Sequence, residues 1–173
     1  KASHLSKGQK TQIALIAAIC AEPDLLVLDE PTSGLDPIVR REFIQTVIGA
    51  FQETSSGSRS IFVSTHLITE FEGLIDEFTI IEGGREILTT GADAAREKYK
   101  KIYARFQSDP GTLDLGGANI VRREGREIEL IVNGNSDEML ARLKALSPES
   151  LRAESLSLEE IFVASLKRKG QIA

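Results

Sequence analysis

An α/β fold, with a parallel sheet, flanking helices and a small α+β extension after them, is what this sequence predicts. Three observations carry the prediction. Two short, continuously apolar runs, Leu25-Leu26-Val27-Leu28 and Ile61-Phe62-Val63, alternate with segments of helical spacing. Runs so short and so apolar read as strands covered on both faces, the usual state in a parallel sheet. The alternation runs to about Ile75, and beyond a connecting helix at about Ala92 to Lys100 the pattern changes to strand-like segments with a hairpin around Gly125. With 173 residues and 41% hydrophobic content, the chain can bury a core for one domain and a small appendage. The expected division is 1–95 and 96–173.

The elements follow in order. Ser6 and Gln9 have capping-box spacing, so a helix starts there; Ile13, Ala14, Ala17, Ala18 and Ala21 recur at helical intervals until Pro23. Leu25 to Leu28 is the first strand and ends in Asp29-Glu30-Pro31. Asp36 at the N-cap and Pro37 at the first helical position open a second helix, with Val39, Phe43, Val47 and Phe51 as its inward stripe. A loop over Ser55 to Ser60 precedes the strand Ser60 to Ser64, which ends at Thr65-His66. A short helix from Ile68 to Leu74 leads into a hairpin of Phe78 to Glu82 and Arg85 to Thr89. Ala92 to Lys100 reads as a polar connecting helix.

In the second part, Ile102 to Phe106 is a strand and Asp109 to Gly117 a loop, with a further hairpin of Ile120 to Arg123 and Ile128 to Val132. Asn135 with Glu138 offers a capping box before Met139, Leu140, Leu143 and Leu146; Ser157 with Glu160 offers another before Ile161, Phe162 and Leu166. Asp109, Asp114, Arg122 and Arg123 read as solvated surface. Tyr99, Tyr103 and Phe106 read as core or hinge, and Cys20 as a small buried filler.

Composition excludes several classes. The 26 acidic against 21 basic residues, a formal charge of -5, argue against a surface that grips nucleic acid through many phosphates. One cysteine permits no internal disulfide, so a reducing compartment is natural. No apolar run reaches the roughly 20 residues of a membrane helix, and no targeting signal is visible. The sequence starts at Lys1 without methionine and enters a motif at once, so it is expected to be part of something longer.

The residues that carry chemistry sit at strand and helix ends. Asp29 and Glu30 emerge from a buried strand, at the edge where such sheets bind ligands. One carboxylate there suits Mg²⁺ and its neighbour suits orienting a water for attack on a phosphoryl group; alternatively the pair simply ends a strand. Ser6-Lys7-Gly8-Gln9 puts a hydroxyl and unpaired N–H groups at a helix start, a phosphate-binding arrangement or a plain cap. His66 follows the second strand and reaches the same sheet edge, as a ligand group or a surface histidine. Ser33-Gly34-Leu35-Asp36 is a turn directly after the acid pair.

Taken together, Leu5-Ser6-Lys7-Gly8-Gln9, Leu25 to Thr32, Ser33 to Asp36 and Ser64-Thr65-His66 resemble, in order and interval, the nucleotide-binding domain of ATP-binding cassette (ABC) transporters. The resemblance covers the first ~90 residues, and the remainder looks like the C-terminal extension of bacterial exporter-type members. It implies a partial P-loop NTPase-type sheet. It also implies that Ser6, Lys7, Gly8 and Gln9 belong to the signature motif that contacts ATP on an opposite subunit, with Asp36 in the loop coupling the two sites. By the same resemblance Asp29 supports Mg²⁺, Glu30 polarises the attacking water and His66 bonds the γ-phosphate. The implied partners are a second nucleotide-binding domain, in a homo- or heterodimer, and a transmembrane permease subunit, with no nucleic acid. The implied location is the cytoplasmic face of the cell membrane, peripherally bound.

Two departures qualify the resemblance. Lys7 stands where many members have glycine, which is expected to tune the site without abolishing it. The sequence also contains no Gly-x-x-x-x-Gly-Lys-Ser/Thr cradle for the phosphates. These residues alone are therefore expected to bind ATP poorly and turn it over negligibly. Open alternatives are a translation- or DNA-associated cassette ATPase and a non-catalytic interaction fragment.

Overall fold

The computed structural model describes residues 5–52, 59–113, 115 and 118–167. By their internal packing they form two compact units, Lys1–Leu67 and Ile68–Ala173.

The first unit holds α1 (Lys7–Cys20), β1 (Leu25–Asp29), α2 (Pro37–Gln52) and β2 (Ser60–Ser64). β1 and β2 pair in parallel, Leu25 opposite Ser60 through Asp29 opposite Ser64. Leu15, Leu26, Leu35, Phe43, Ile44 and Val47 are its buried apolar residues. The expectation of strands covered on both faces is corrected here. Side chains alternate along a strand, so Leu26 is buried while Leu25 and Val27 are 55% and 62% exposed, and Phe62 on β2 is 60% exposed. Within this unit, no described element covers that second face.

α1 likewise buries a narrower stripe than the alanine spacing suggested. Leu15 is its buried residue, Ile13 and Ile16 are exposed, and Cys20 is exposed rather than a core filler. Phe43 and Val47 of α2 are buried and Val39 half-buried. The side chain of Phe51, most of the expected loop at Ser55 to Ser60, Asp114 and Gly117 lie outside the described residues.

The second unit contains α3 (Ile68–Phe71), β3 (Glu77–Glu82), β4 (Arg85–Gly91), α4 (Ala92–Lys98), β5 (Tyr99–Arg105), β6 (Asn119–Glu124), β7 (Glu127–Asn133), α5 (Ser136–Ala145), β8 (Ser150–Ser155) and α6 (Leu158–Lys167). β3 and β4 form an antiparallel hairpin closed by Gly83 and Gly84, both at positive φ, as a tight hairpin turn requires. A four-stranded antiparallel sheet runs in the order β6-β7-β5-β8. One core packs Ile102, Ala104 and Phe106 with Ile128, Leu130, Met139 and Leu143; another packs Ala92, Ala95 and Tyr99 with Leu156, Leu158, Ile161 and Ala164.

Several local expectations change here. α4 is no polar connector, because Ala92 and Ala95 are each 1% exposed and join the second core. The capping box at Asn135 does not form. Asn135 adopts φ +55 and its side chain caps nothing, while Glu138 bonds Arg142 at 2.7 Å. Leu146, expected inward, is 48% exposed. The box at Ser157 does form: Glu160 N donates to Ser157 Oγ (3.1 Å) and Ser157 N to Glu160 Oε2 (2.9 Å). β8 gave no strand signal because only Leu151 of its residues is even half-buried. Tyr99 and Phe106 are buried, and Tyr103 lies under Arg152, whose guanidinium carbon is 4.3 Å from the ring centre.

Candidate functional site

Parallel register brings the ends of β1 and β2 side by side, and with them Glu30 and His66. Glu30 N donates to Ser64 O at 2.8 Å, which carries the pairing one residue past the strand. Its φ is +43, a left-handed conformation that costs a non-glycine residue energy, and the cost is localised at the carboxylate of interest. His66 N donates to Glu30 Oε1 at 3.2 Å, His66 Nδ1 lies 2.8 Å from the same oxygen, and Thr65 Oγ1 donates to Oε2 at 3.4 Å. The hydrogen bond from His66 holds the Glu30 carboxyl below its ordinary range. A carboxylate only accepts, so Nδ1 carries the proton in this contact. Nε2 is then an acceptor on a neutral ring and a donor only on an imidazolium.

Asp29, the last residue of β1, is exposed. Among the described residues there is no group of three or more His, Cys, Asp or Glu able to hold a metal ion. A single carboxylate nevertheless matches how Mg²⁺ is usually held, by one or two carboxylates, waters and substrate phosphates.

The second part of the site is the start of α1. Gln9 N donates to Ser6 Oγ at 3.2 Å and Ser6 N to Gln9 Oε1 at 3.0 Å, so the capping box read from the sequence is formed. Ser6, Gly8 and Gln9 face Gly34, Leu35 and Asp36 across a shallow hollow. A methyl group on Gly8 would lie 3.5 Å from Leu35 Cδ2 and 3.7 Å from Val39 Cγ1, ordinary contact distances. Asp36 caps α2, its Oδ1 accepting from Ile38 N at 3.1 Å and Val39 N at 3.2 Å. Ser6, Gln9 and Asp36 thus each have a folding role, whatever else they bind. The Lys7 side chain lies outside the described positions.

Backbone bonds tie the acid to this hollow. Ser33 N donates to Glu30 O at 3.1 Å and Leu35 N to Thr32 O at 3.2 Å. Thr32 is fully buried, and its Oγ1 has no partner among the described residues. The sequence reading missed Thr65 and Arg40, which touch these groups. Arg40 had a signal: a cation close to a helix N-terminus opposes the helix dipole and needs another reason to be there.

A family model described as "AAA domain, putative AbiEii toxin, Type IV TA system" matches residues 1–71, the span that contains the acid, the histidine and the helix start. Over nearly its whole length the chain is similar to ABC transporter ATP-binding proteins. The ABC transporter ATP-binding protein YtrB of Bacillus subtilis (strain 168) is 27% identical over 171 residues, 98% of this chain and 57% of the relative. The Nod factor export ATP-binding protein I of Burkholderia lata is 30% identical over 176 residues, 99% of this chain and 56% of the relative. The solved structure of an ATP binding subunit of an ABC transporter is 32% identical and covers 55% of this chain and 38% of its own, with a TM-score of 0.46. The chain spans about half the length of the curated relatives it matches.

Proposed function

We propose that these residues supply the hydrolytic and signature parts of the ATP-hydrolysing subunit of an ABC transporter, of the exporter type. The observation that carries the reading is the Glu30–His66 pair at 2.8 Å on the edge of a parallel strand pair. The homology with ATP-binding proteins, Nod factor export among them, supports transport over a translation- or DNA-associated role.

In this reading Glu30, ionised and left-handed, presents the remaining acceptor capacity of its carboxylate to the attacking water and orients it toward the γ-phosphate. His66 holds that carboxylate in place through Nδ1. Its Nε2 donates to phosphate charge when the ring is an imidazolium. Asp29 would hold Mg²⁺, which would supply positive charge against the charge developing on the phosphate. The free N–H groups at the start of α1, with Ser6, Lys7, Gly8 and Gln9, receive the phosphates of ATP held by a second nucleotide-binding domain. Asp36 orders the loop between the two. Residues 1–95 are assigned to the ATPase and 96–173 to an accessory segment, on the change in sequence pattern; by internal packing the boundary lies after Leu67.

A permease subunit would anchor the assembly at the cytoplasmic face of the membrane. No helix among the described residues is long and apolar enough to cross a membrane. In the complete polypeptide, Glu30→Gln should lower ATP turnover about 100-fold or more while ATP still drives association of two cassettes. Unchanged turnover would refute the role of Glu30. For these 173 residues alone, calorimetric titration with Mg-ATP should detect no binding; micromolar affinity would require a phosphate site other than the one described.

A further inference from the structure

The geometry points to Arg40 as a positioning residue that sets the loop between Glu30 and the start of α1. The inference rests on the hydrolytic reading above. Arg40 Nε and Nη2 both donate to the carbonyl of Leu35, at 3.2 and 3.0 Å, in a half-buried setting. A fork of two donors fixes a carbonyl in direction as well as in distance, which a single ammonium does not. Leu35 has two further attachments. Its N–H donates to Thr32 O, and its side chain, 5% exposed, lies against Gly8 at the start of α1.

From Glu30 the chain of contacts is continuous. Glu30 O accepts from Ser33 N, Gly34 turns the backbone at φ +72, and Leu35 is clamped from above by Arg40 and packed below on Gly8. Moving Leu35 therefore moves the helix start that faces phosphate relative to the carboxylate that orients water. Arg40 also sits in the first turn of α2, where its charge opposes the helix dipole, so the clamp offsets a local cost. Arg40 acts on the site through Leu35, whose carbonyl it holds.

The test compares Arg40→Ala and Arg40→Lys with Glu30→Gln and with Arg41→Ala, an exposed neighbour, in the complete polypeptide. The kcat for ATP should fall about tenfold in Arg40→Ala and partway in Arg40→Lys, with KM for ATP within about twofold of wild type and the melting temperature unchanged. If Arg40→Ala fails to fold, Arg40→Lys, which keeps the charge and the stem, carries the test. Wild-type kcat in the Arg40 variants, beside an inactive Glu30→Gln, overturns this inference and leaves the hydrolytic reading standing. Wild-type kcat in Glu30→Gln overturns that reading and this inference with it. A loss of kcat that merely follows melting temperature, or that Arg41→Ala shares, reduces Arg40 to a structural residue and also overturns the inference.

Discussion

Ser6 is the residue at which folding and ligand binding can be separated, because two substitutions move them in opposite ways. Its hydroxyl accepts from Gln9 N at 3.2 Å, and Gln9 returns a bond at 3.0 Å. Ser6→Ala deletes the acceptor, which costs about 1 kcal/mol for an N-cap. That amount corresponds to roughly fivefold faster hydrogen exchange of the α1 amides, if they open locally. Ser6→Asp keeps an equally good cap and adds a favourable charge at the helix N-terminus, about 0.3–1 kcal/mol. Exchange should therefore slow or stay the same. For a bound polyphosphate the same carboxylate is repulsive. Two unit charges about 4 Å apart repel by about 4 kcal/mol at an effective dielectric near 20, and screening brings this to roughly 2–4 kcal/mol. ATP affinity in the complete polypeptide should then fall roughly 30- to 1,000-fold. Two assays decide: exchange over α1 and steady-state ATP turnover. An Asp variant that binds and hydrolyses ATP like wild type refutes the phosphate role of this helix start. An Ala variant with wild-type exchange refutes the cap magnitude.

Three further outcomes are expected. Gly8→Ala places its methyl 3.5 Å from Leu35 Cδ2, so stability should hold or rise by about 0.4–1 kcal/mol. Turnover should fall about 10- to 100-fold if phosphate must approach the backbone there, and unchanged turnover would count against close approach. Ile161→Ala, at a fully buried position, should cost about 2–5 kcal/mol in chemical denaturation; a smaller loss would mean the second core collapses around the gap.

The pH profile of the second unit should have a plateau set by the ion pair of Lys101 with Glu160. Its bond to Lys101 depresses Glu160 below its ordinary 4.5, so that contribution is present above 4.5 and is lost as pH falls through the lowered value. The bond to Glu160 raises Lys101 above 10.5, so its contribution is complete below 10.5 and is lost as pH rises through the raised value. Urea titrations at several pH values should show Glu160→Gln flattening the acid limb. An unaltered acid limb would assign it to other carboxylates.

Which parts were legible in the sequence follows from the range of the forces involved. Capping boxes at Ser6 and Ser157, the Asp36-Pro37 helix start and the Gly83-Gly84 hairpin are all settled within a few residues, and all formed. Asn135 shows the limit of such reading. Its spacing to Glu138 was right, but a left-handed backbone at φ +55 left its side chain without a capping bond. Burial is a tertiary property, and there the reading went astray. Leu25, Val27 and Phe62 are as apolar as any core residue but remain exposed, because no described element of their own unit covers that face. Cys20 is exposed for the same reason that composition cannot name a neighbour. Ala92 and Ala95, too small to signal a core, are buried because α6 packs near them.

By itself, the sequence determined the order of the elements other than β8, the caps at Ser6, Asp36 and Ser157, and the residue types at the ends of the two parallel strands, all of which depend on neighbours along the chain. Only the tertiary structure decided that β1 and β2 are adjacent in register. That adjacency puts a histidine nitrogen 2.8 Å from a carboxylate 36 residues away, lowers that carboxyl's pKa and places the proton on Nδ1. The reason is physical: hydrogen bonds and charge interactions act through space over a few ångströms, and chain separation carries no record of them.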